Sequence, residues 1–408
     1  MSSIIDAYQR AYEFYAADNN LMVPTPFTSM FNQQTPLVDL GSNEVPIEVF
    51  KGSRQIAPLV SRINQGTDID NPVIRPGVSG ANDYLFSLIQ QELQLNAAEL
   101  NKRIPGESPF MMGGQEEEVK RMRQRFWIFK MAMDATRRVL RKDELLAIQS
   151  FFTSEQDIYD THQGAKKLIF PRSASLKNRT VAVSWATAAS ATPWKDLGDA
   201  MRQVKIESQL DGGHTFLCFL PDGPMENLKK IYRSQRQGDT GPNLEFNDYK
   251  FDPEQEVPAG YEFLVENGME YNGWVRSTYS TRRIHLFTMP QIVDTGTDAS
   301  PNNVDYLTGD TVALCAWSPD YLKAFYGPGK KAKPEEVLYS ELMGGMDIPS
   351  AAAGGLTMGN SGVPARAMML NLYRLGKNDG FGGMVEHAPI FAPLHPDTIA
   401  TIATTTTA

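Results

Sequence analysis

The most regular hydrophobic pattern in the chain runs from residue 115 to residue 142, in the sequence QEEEVKRMRQRFWIFKMAMDATRRVLRK. The segment contains no proline or glycine, and its apolar positions recur at alternating intervals of three and four residues, as on one helical face. That face carries Val119, Met122, Phe126, Phe129, Met133 and Leu140. Acidic residues open the segment and basic residues close it, which suits the helix dipole. We predict a helix about 42 Å long, continuing with a shifted face to about residue 156.

The segment before this helix has no comparable pattern and is rich in turn-forming residues. The stretch EVPIEVF alternates, with Val45, Ile47 and Val49 on one side, as a strand does. The residues from there to Tyr84 carry several prolines and glycines and only scattered aliphatic side chains. Loops of this length inside compact domains are usually functional or disordered. We predict a long two-stranded excursion with little to pack against, whose return at 85–105 suits either a strand or a short helix.

The rest of the chain mixes strand and helix patterns, which indicates the α+β class. The predicted strands are KKLIFP, RTVAVSWATA, TFLCFLP, RRIHLFTMP and TVALCAWSP, followed by apolar closing runs at 367–375 and 384–392. No internal repeat is visible in the sequence.

Two helices and two turns are predicted among these strands. TPWKDLGDAMRQVK has Thr192 in the N-cap position and a proline at the first helical position, and a second helix begins at Asp222. The buried face of the first helix is predicted to be Leu197, Met201 and Val204. The pairs Asn267-Gly268 and Asn272-Gly273 favour tight turns between strands.

Composition and charge narrow the classes of function. The 408-residue chain is 41% hydrophobic and 21% charged, with a net charge of −9. That charge argues against a general nucleic-acid binder and against an anionic membrane surface. No apolar run approaches membrane-spanning length, and the N-terminus does not resemble a signal peptide, so we expect a cytoplasm-like compartment. Cys218 and Cys315 lie in apolar runs and are expected to be buried thiols.

Candidate chemistry is weak throughout the sequence. Ser361, Asp379 and His387 follow the order of an α/β-hydrolase triad, but GNSG is not the G-x-S-x-G elbow, and a plain loop is the better interpretation. GPGKKAKP lacks the first glycine and the final Ser or Thr of a phosphate loop. The five histidines form no pair with metal-ligand spacing. We therefore predict no catalytic, cofactor or metal site.

Four stretches, taken in order, carry a resemblance to a known family. They are LNKRIPGESP, the long helix with the RKDELLAIQSFFTSE that follows it, TPWKDLGDAM, and EHAPIFAPLHPDTIATI. Their order resembles that of the major capsid proteins of tailed phages, which share the Hong Kong 97-type fold. Within that group the chain is most similar to the lambda-type major capsid protein E family. Each stretch alone is weak, and it is their order and spacing over nearly the whole chain that carry the resemblance.

The resemblance implies a division of the chain into five parts. These are an N-terminal arm at 1–45, an extended loop at 46–103, a peripheral domain with the long spine helix at 104–191, an axial domain at 192–362, and return strands to the peripheral domain at 363–408. The segments at 236–258 and 344–362 have no counterpart in the family pattern, which affects the axial-domain boundaries.

The resemblance also implies roles for two sets of side chains. The spine helix would bury the apolar face named above, while a second band, comprising Trp127, Ile128, Met131 and Ala135, would face a neighbouring element. The extended loop would lie over the next subunit. Its contact residues are expected to be Ile56, Leu59, Val60, Arg62, Ile63 and Arg75.

The function implied by the resemblance is assembly. Many copies would form hexamers and pentamers of an icosahedral shell around double-stranded DNA, without sequence-specific binding, without a cofactor and without enzymatic activity. The chain would be assembled in the host cytoplasm and reside in the virion capsid. Its partners would be a scaffolding protein and a portal, and a decoration protein could bind the shell. The alternatives are an encapsulin-like compartment shell, an enzyme using Ser361 or His387, and, for the helix alone, a free coiled coil.

Overall fold

The structure is a computed structural model of the chain. It describes residues 23–32, 44–50, 78–85, 89–104, 116–160, 164–209, 215–237, 249–251, 257–277, 280–295, 300–326, 368–375 and 380–406. The fold is mixed α and β, as the sequence predicted.

The described helices are α1 (Pro26–Asn32), α2 (Ala97–Leu100), α3 (Glu116–Thr153), α4 (Pro193–Ser208), α5 (Asp222–Gln237) and α6 (Glu262–Glu266). The first strands are β1 (Glu44–Phe50), β2 (Val78–Leu85), β3 (Ile89–Leu95), β4 (Glu155–Asp160), β5 (Gly164–Ile169), β6 (Arg179–Thr180), β7 (Thr215–Leu220), β8 (Tyr249–Lys250) and β9 (Glu270–Ser277). The remaining strands are β10 (Ser280–Thr288), β11 (Ile292–Asp294), β12 (Asn303–Asp305), β13 (Thr311–Trp317), β14 (Leu322–Tyr326), β15 (Met368–Leu375), β16 (Gly380–His387), β17 (Pro389–Pro393) and β18 (Ile399–Ala403).

A seven-stranded sheet forms the centre of the larger part of the molecule, in the order β6-β18-β13-β7-β10-β9-β8. Most neighbours are antiparallel, and the pairs β7–β10 and β6–β18 are parallel. The central strand β7 is buried along nearly its whole length because both faces of the sheet are covered. Apolar side chains therefore occupy consecutive positions in TFLCFL instead of alternating with polar ones.

Helices α4 and α5 cover one face of this sheet. Leu197, Met201 and Val204 of α4 are buried there, as predicted, beside Cys218 of β7. Thr192 occupies the N-cap position of α4 and a proline opens the helix, as predicted, but the Thr192 side chain makes no capping hydrogen bond. The cysteine prediction is confirmed, since both thiols are buried and unbonded to each other.

The opposite face of the sheet packs against α1 and the C-terminal half of α3. Phe151 of α3 lies with its ring centroid 5.3 Å from Phe27 of α1 and 5.3 Å from Phe219 of β7. All three rings are fully buried. This aromatic contact joins three elements that are far apart in sequence into one core.

Helix α3 is the long helix predicted from the hydrophobic pattern, and at 38 residues it exceeds the strongest part of that pattern. It ends at Thr153, three residues before the predicted end. Ser154 adopts a left-handed conformation with φ 57°, while its N–H still donates to the carbonyl of Ser150. A residue in this conformation cannot continue a right-handed helix, so the chain turns directly into β4.

Two local predictions were wrong. In RTVAVSWATA only Arg179 and Thr180 form a strand, because Trp185 turns into the core and its indole N–H donates to Asp196 Oδ2 at 2.9 Å. The Asn272-Gly273 pair lies inside β9 and not at a hairpin turn. Gly273 has φ +92°, and a Cβ there would collide with the Lys250 carbonyl of β8. The glycine is thus needed for close strand approach.

The closing strands are divided among three sheets. Strands β15 and β16 form a three-stranded antiparallel sheet with β3, in the order β15-β16-β3. Strand β17 pairs with β14, and β18 lies between β6 and β13 in the seven-stranded sheet. The last strand, grouped in the sequence analysis with the return to the peripheral domain, therefore belongs to the sheet that α4 and α5 cover.

Candidate assembly elements

Strands β1 and β2 form a separate antiparallel ribbon. The register runs from Glu44 opposite Leu85 to Phe50 opposite Val78, with an irregularity between Val49 and Phe50. Among the described strands, β1 and β2 pair only with each other. The predicted strand at Glu44–Phe50 is confirmed, but its partner, Val78–Leu85, lies almost wholly in the stretch predicted as loop. The returning segment is both strand and helix, as β3 and α2, and β3 pairs with β16 instead of β1.

The predicted contact residues of the extended loop fall between the two strands of this ribbon. Ile56, Leu59, Val60, Arg62, Ile63 and Arg75 all lie outside the described residues. Their contact with a neighbouring subunit stays a prediction. Residues 51–77 connect Phe50, at the end of β1, to Val78, at the start of β2.

The apolar face predicted for the spine helix lies partly against the segment that follows β3. Val119, Phe126 and Leu140 are buried and Met122 is half-buried, while the side chains of Phe129 and Met133 lie outside the described part. Phe126 packs against Ile104 and, at a ring-centroid distance of 5.3 Å, against Trp127.

The second apolar band of the helix contacts the chain's own residues. Ile128 is buried against Leu100 of α2, with Trp127 and Met131 beside them. The Trp127 indole N–H donates to the Lys102 carbonyl at 2.9 Å. Asn96 and Glu99 form a reciprocal capping box at the start of α2, which fixes the short helix that presents Leu100. The sequence signal for this contact was the N-A-A-E pattern before LNKRI, which the hydrophobic periodicity did not reveal.

The C-terminal half of α3 contains two adjacent buried acids that the sequence analysis did not single out. Both carboxylate oxygens of Glu144 accept backbone hydrogen bonds from α1, from the Phe27 N–H at 2.8 Å and the Thr28 N–H at 2.9 Å. Burial raises the pKa of Glu144 to about 7, although these hydrogen bonds oppose the rise. Glu144 thereby caps a helix from a different part of the chain.

Asp143, the residue before Glu144 on α3, pairs with His387 of β16. The His387 Nδ1 to Asp143 Oδ2 distance is 2.7 Å, and neither side chain is exposed. Burial raises the pKa of Asp143, while the neighbouring imidazole opposes the rise. The imidazole ring also stacks on Tyr326 at a centroid distance of 5.1 Å. His387 is thus a buried structural residue, and Ser361 and Asp379, its proposed triad partners, lie outside the described residues.

Side-chain hydrogen bonds fix the end of α3 to the strands around it. Arg172 donates to the carbonyls of Phe151 at 2.6 Å and Phe152 at 2.8 Å, which satisfies two of the unpaired carbonyls at a helix C-terminus. Burial lowers the pKa of the Arg172 guanidinium to about 10. Gln156 bonds both the Pro389 carbonyl and the Phe391 N–H of β17. The C-terminal end of α3 is therefore held by several side-chain hydrogen bonds to backbone groups.

The described residues offer little sign of other kinds of site. No group of three or more His, Cys, Asp or Glu within them is arranged to hold a metal ion. None of the helices in the described part of the chain is both long enough and apolar enough to span a membrane.

No protein-family model and no curated protein sequence matches the chain. Among solved structures, the chain is similar to a capsid protein assigned to a prophage of E. coli CFT073, with a TM-score of 0.55 and 11% identity, over 97% of this chain and 98% of that one. A structure from Mycobacterium phage Patience has a TM-score of 0.42 at 10% identity, over 92% and 83% of the two chains. The SrpI encapsulin of Synechococcus elongatus PCC 7942 has a TM-score of 0.39 at 9% identity, over 94% and 90%.

The fold assignment rests on the prophage protein, because the other two TM-scores lie below 0.5. At 11% identity this likeness concerns the arrangement of the chain in space and not its sequence. It extends over nearly the full length of both proteins. The chain has the phage major capsid protein fold, of the Hong Kong 97 type, that the sequence resemblance implied.

Proposed function

We propose that this chain is the major capsid protein of a tailed phage, similar to the lambda-type E family, and that its function is to build a shell. Copies assemble into hexamers and pentamers that close into an icosahedral head around double-stranded DNA. The observation that carries the proposal is the full-length likeness in fold to the prophage capsid protein. The isolated β1–β2 ribbon supports it, because a two-stranded ribbon is marginally stable in water without further packing.

The extended loop is the element we assign to contacts between subunits. We restrict the extended loop to residues 44–85. The elements that follow it have partners within the chain, because β3 pairs with β16 and α2 contacts α3. Residues 51–77, which include Ile56 and Arg75, would contact the next subunit. Each contact can be weak, since a subunit joined to several neighbours gains avidity.

The same proposal divides the described chain into two domains. The peripheral domain comprises α3 with the β15-β16-β3 sheet, and the axial domain comprises the seven-stranded sheet with α4 and α5, including β18. At the end of α3, Arg172 bonds the last carbonyls of the helix and Gln156 bonds β17. The N-terminal arm then includes α1, whose side chains are buried in the core.

The partners follow from the same function. A scaffolding protein directs shell closure, a portal occupies one vertex and a decoration protein can bind the outer surface, while the DNA is enclosed without sequence-specific contacts. The chain would be assembled in the host cytoplasm and reside in the virion. A net charge of −9 suits a container that must release its genome, because it does not favour phosphate binding. This function requires neither enzymatic activity nor a cofactor.

The test replaces residues 51–77 with a short Gly-Ser turn that joins Phe50 to Val78 and keeps the ribbon. We expect a soluble subunit whose melting temperature is close to that of the parent, and no rings or shells in sedimentation and electron microscopy. The same Gly-Ser replacement at residues 296–299, between β11 and β12, controls for an altered connection. Normal particles from the 51–77 variant would overturn the loop assignment.

An encapsulin-like shell is the alternative, because the resemblance implies a fold that such compartment shells share. The two functions differ in what the particle contains. Native particles purified after nuclease treatment should retain protected double-stranded DNA if the proposal is right. Particles with protein cargo and no protected DNA would favour the compartment. A monomer under all conditions, scaffolding protein included, would contradict both.

A further inference from the structure

Helix α1 is bound to the rest of the protein by a buried carboxylate as well as by apolar contacts. Phe27, Met30 and Phe31 are fully buried, with the Phe31 ring 5.5 Å from Phe391 of β17. Glu144 accepts from two N–H groups in the first turn of α1. Helix α1, with the sequence PFTSMFN, has no titratable side chain of its own, so Glu144 supplies the titratable group of this contact.

Within the described part of the chain, other titratable groups surround Glu144, but no cation forms an ion pair with it. Asp143 is its neighbour on α3, and its charge raises the Glu144 pKa further. His387 of β16 pairs with Asp143 and not with Glu144. Burial raises the pKa of Tyr306, which follows β12, and the charge of Glu144 raises it further, while Arg141 lowers it. Tyr326 of β14 stacks on His387.

We propose that α1 is a proton-dependent latch, in which the segment at 23–32 opens from the core more often when Glu144 is ionised than when it carries a proton. The closed state encloses the carboxyl completely, and opening returns it to water. Protonation removes a buried charge that the two α1 N–H groups compensate only in part, so acid keeps the latch closed and base favours opening.

The sign and size follow from proton linkage. Burial raises the pKa of the Glu144 carboxyl from 4.5 to about 7, so its contribution to closure is complete below pH 4.5 and is lost as the pH rises through 7. The opening constant should rise on the order of 100-fold between pH 5 and pH 8. The apolar contacts of α1 remain, so the closed state stays dominant and the change appears in rare openings.

Native-state hydrogen exchange of the full-length protein tests this inference independently of shell assembly. Exchange is measured for the α1 amides at several pH values, corrected for intrinsic rates, and compared with the amides of the buried strand β7. Sedimentation at each pH ensures that the same species is compared. We expect α1 to open by a local route, more readily than β7, with an opening constant that rises with pH.

Two variants assign the effect to one carboxyl. Glu144→Gln keeps one acceptor for α1 but cannot titrate, so the pH dependence of α1 opening should disappear. Glu226→Gln, at an exposed position on α5, removes one carboxylate elsewhere and should leave the pH dependence of α1 opening unchanged. Equal protection of α1 and β7 at every pH, or an α1 opening constant that does not vary with pH in the parent protein, would overturn the latch even if the Gln variant failed to fold. So would a pH dependence that persists in Glu144→Gln.

Discussion

The two halves of helix α3 are specified in different ways. The N-terminal half contacts a short segment after β3, through Leu100 and Ile104, and its Trp127 remains partly exposed. The C-terminal half lies in the main core. There Glu144 accepts a buried hydrogen bond from the distant Phe27 N–H, and Arg172 donates one to the carbonyl of Phe151, near the end of α3. One helix thus joins a lightly covered region to a fully enclosed one.

The difference explains why one half was easier to predict. A stripe of apolar residues at intervals of three and four specifies a helix with one buried face, and this pattern is clearest from Val119 to Leu140. The C-terminal half is buried on more than one side, so its polar residues Asp143 and Glu144 interrupt the stripe. Their partners, His387 and the Phe27 amide, are more than a hundred residues away and could not be identified from spacing.

The largest difference between the halves is expected for matched truncations of two phenylalanines. Phe151→Ala should lower the free energy of unfolding by about 3–5 kcal/mol, because the ring is enclosed by Phe27 and Phe219 and its cavity cannot collapse. Phe126→Ala should cost about 2 kcal/mol less, since its neighbour Trp127 can move into the space. Urea unfolding of both variants measures this. Equal losses would show that the N-terminal half is as tightly packed as the core.

The helix end should be the next most sensitive position. Arg172→Met removes both donors to the Phe151 and Phe152 carbonyls and leaves them buried without those partners, at a cost of about 2–4 kcal/mol. Arg172→Lys keeps the charge but not the planar pair of donors and should fall between the parent and the Met variant. Chemical denaturation at pH 7 separates the three proteins. A Met variant as stable as the parent would show that these hydrogen bonds only balance the burial of the guanidinium.

The same contrast between local signals and distant contacts decides which assembly elements the sequence could predict. The first strand of the excursion was predictable, because the alternation in Glu44–Phe50 is a local signal, but its partner Val78–Leu85 carries no such alternation and lies in the stretch predicted as loop. The cap of α2 was also encoded locally, by Asn96 and Glu99, but four residues are too few for periodicity to detect. Thr192 had the residue type of a cap without the side-chain hydrogen bond. Composition at one position does not determine the backbone geometry that a cap requires.

The smallest predicted effect compares these two cap positions. Asn96→Ala should cost about 1 kcal/mol, because Asn96 Oδ1 accepts from the Glu99 N–H at 2.9 Å and the Glu99 carboxylate accepts from the Asn96 N–H at 3.2 Å. Thr192→Ala should cost less than about 0.5 kcal/mol, since its side chain makes no capping bond to α4. Loss of the Asn96 cap should also loosen Leu100 against Ile128, which would appear as faster hydrogen exchange near residue 128 and not in α4. A larger loss of stability from Thr192→Ala than from Asn96→Ala would show that Thr192 stabilises α4 through a contact other than a side-chain capping hydrogen bond.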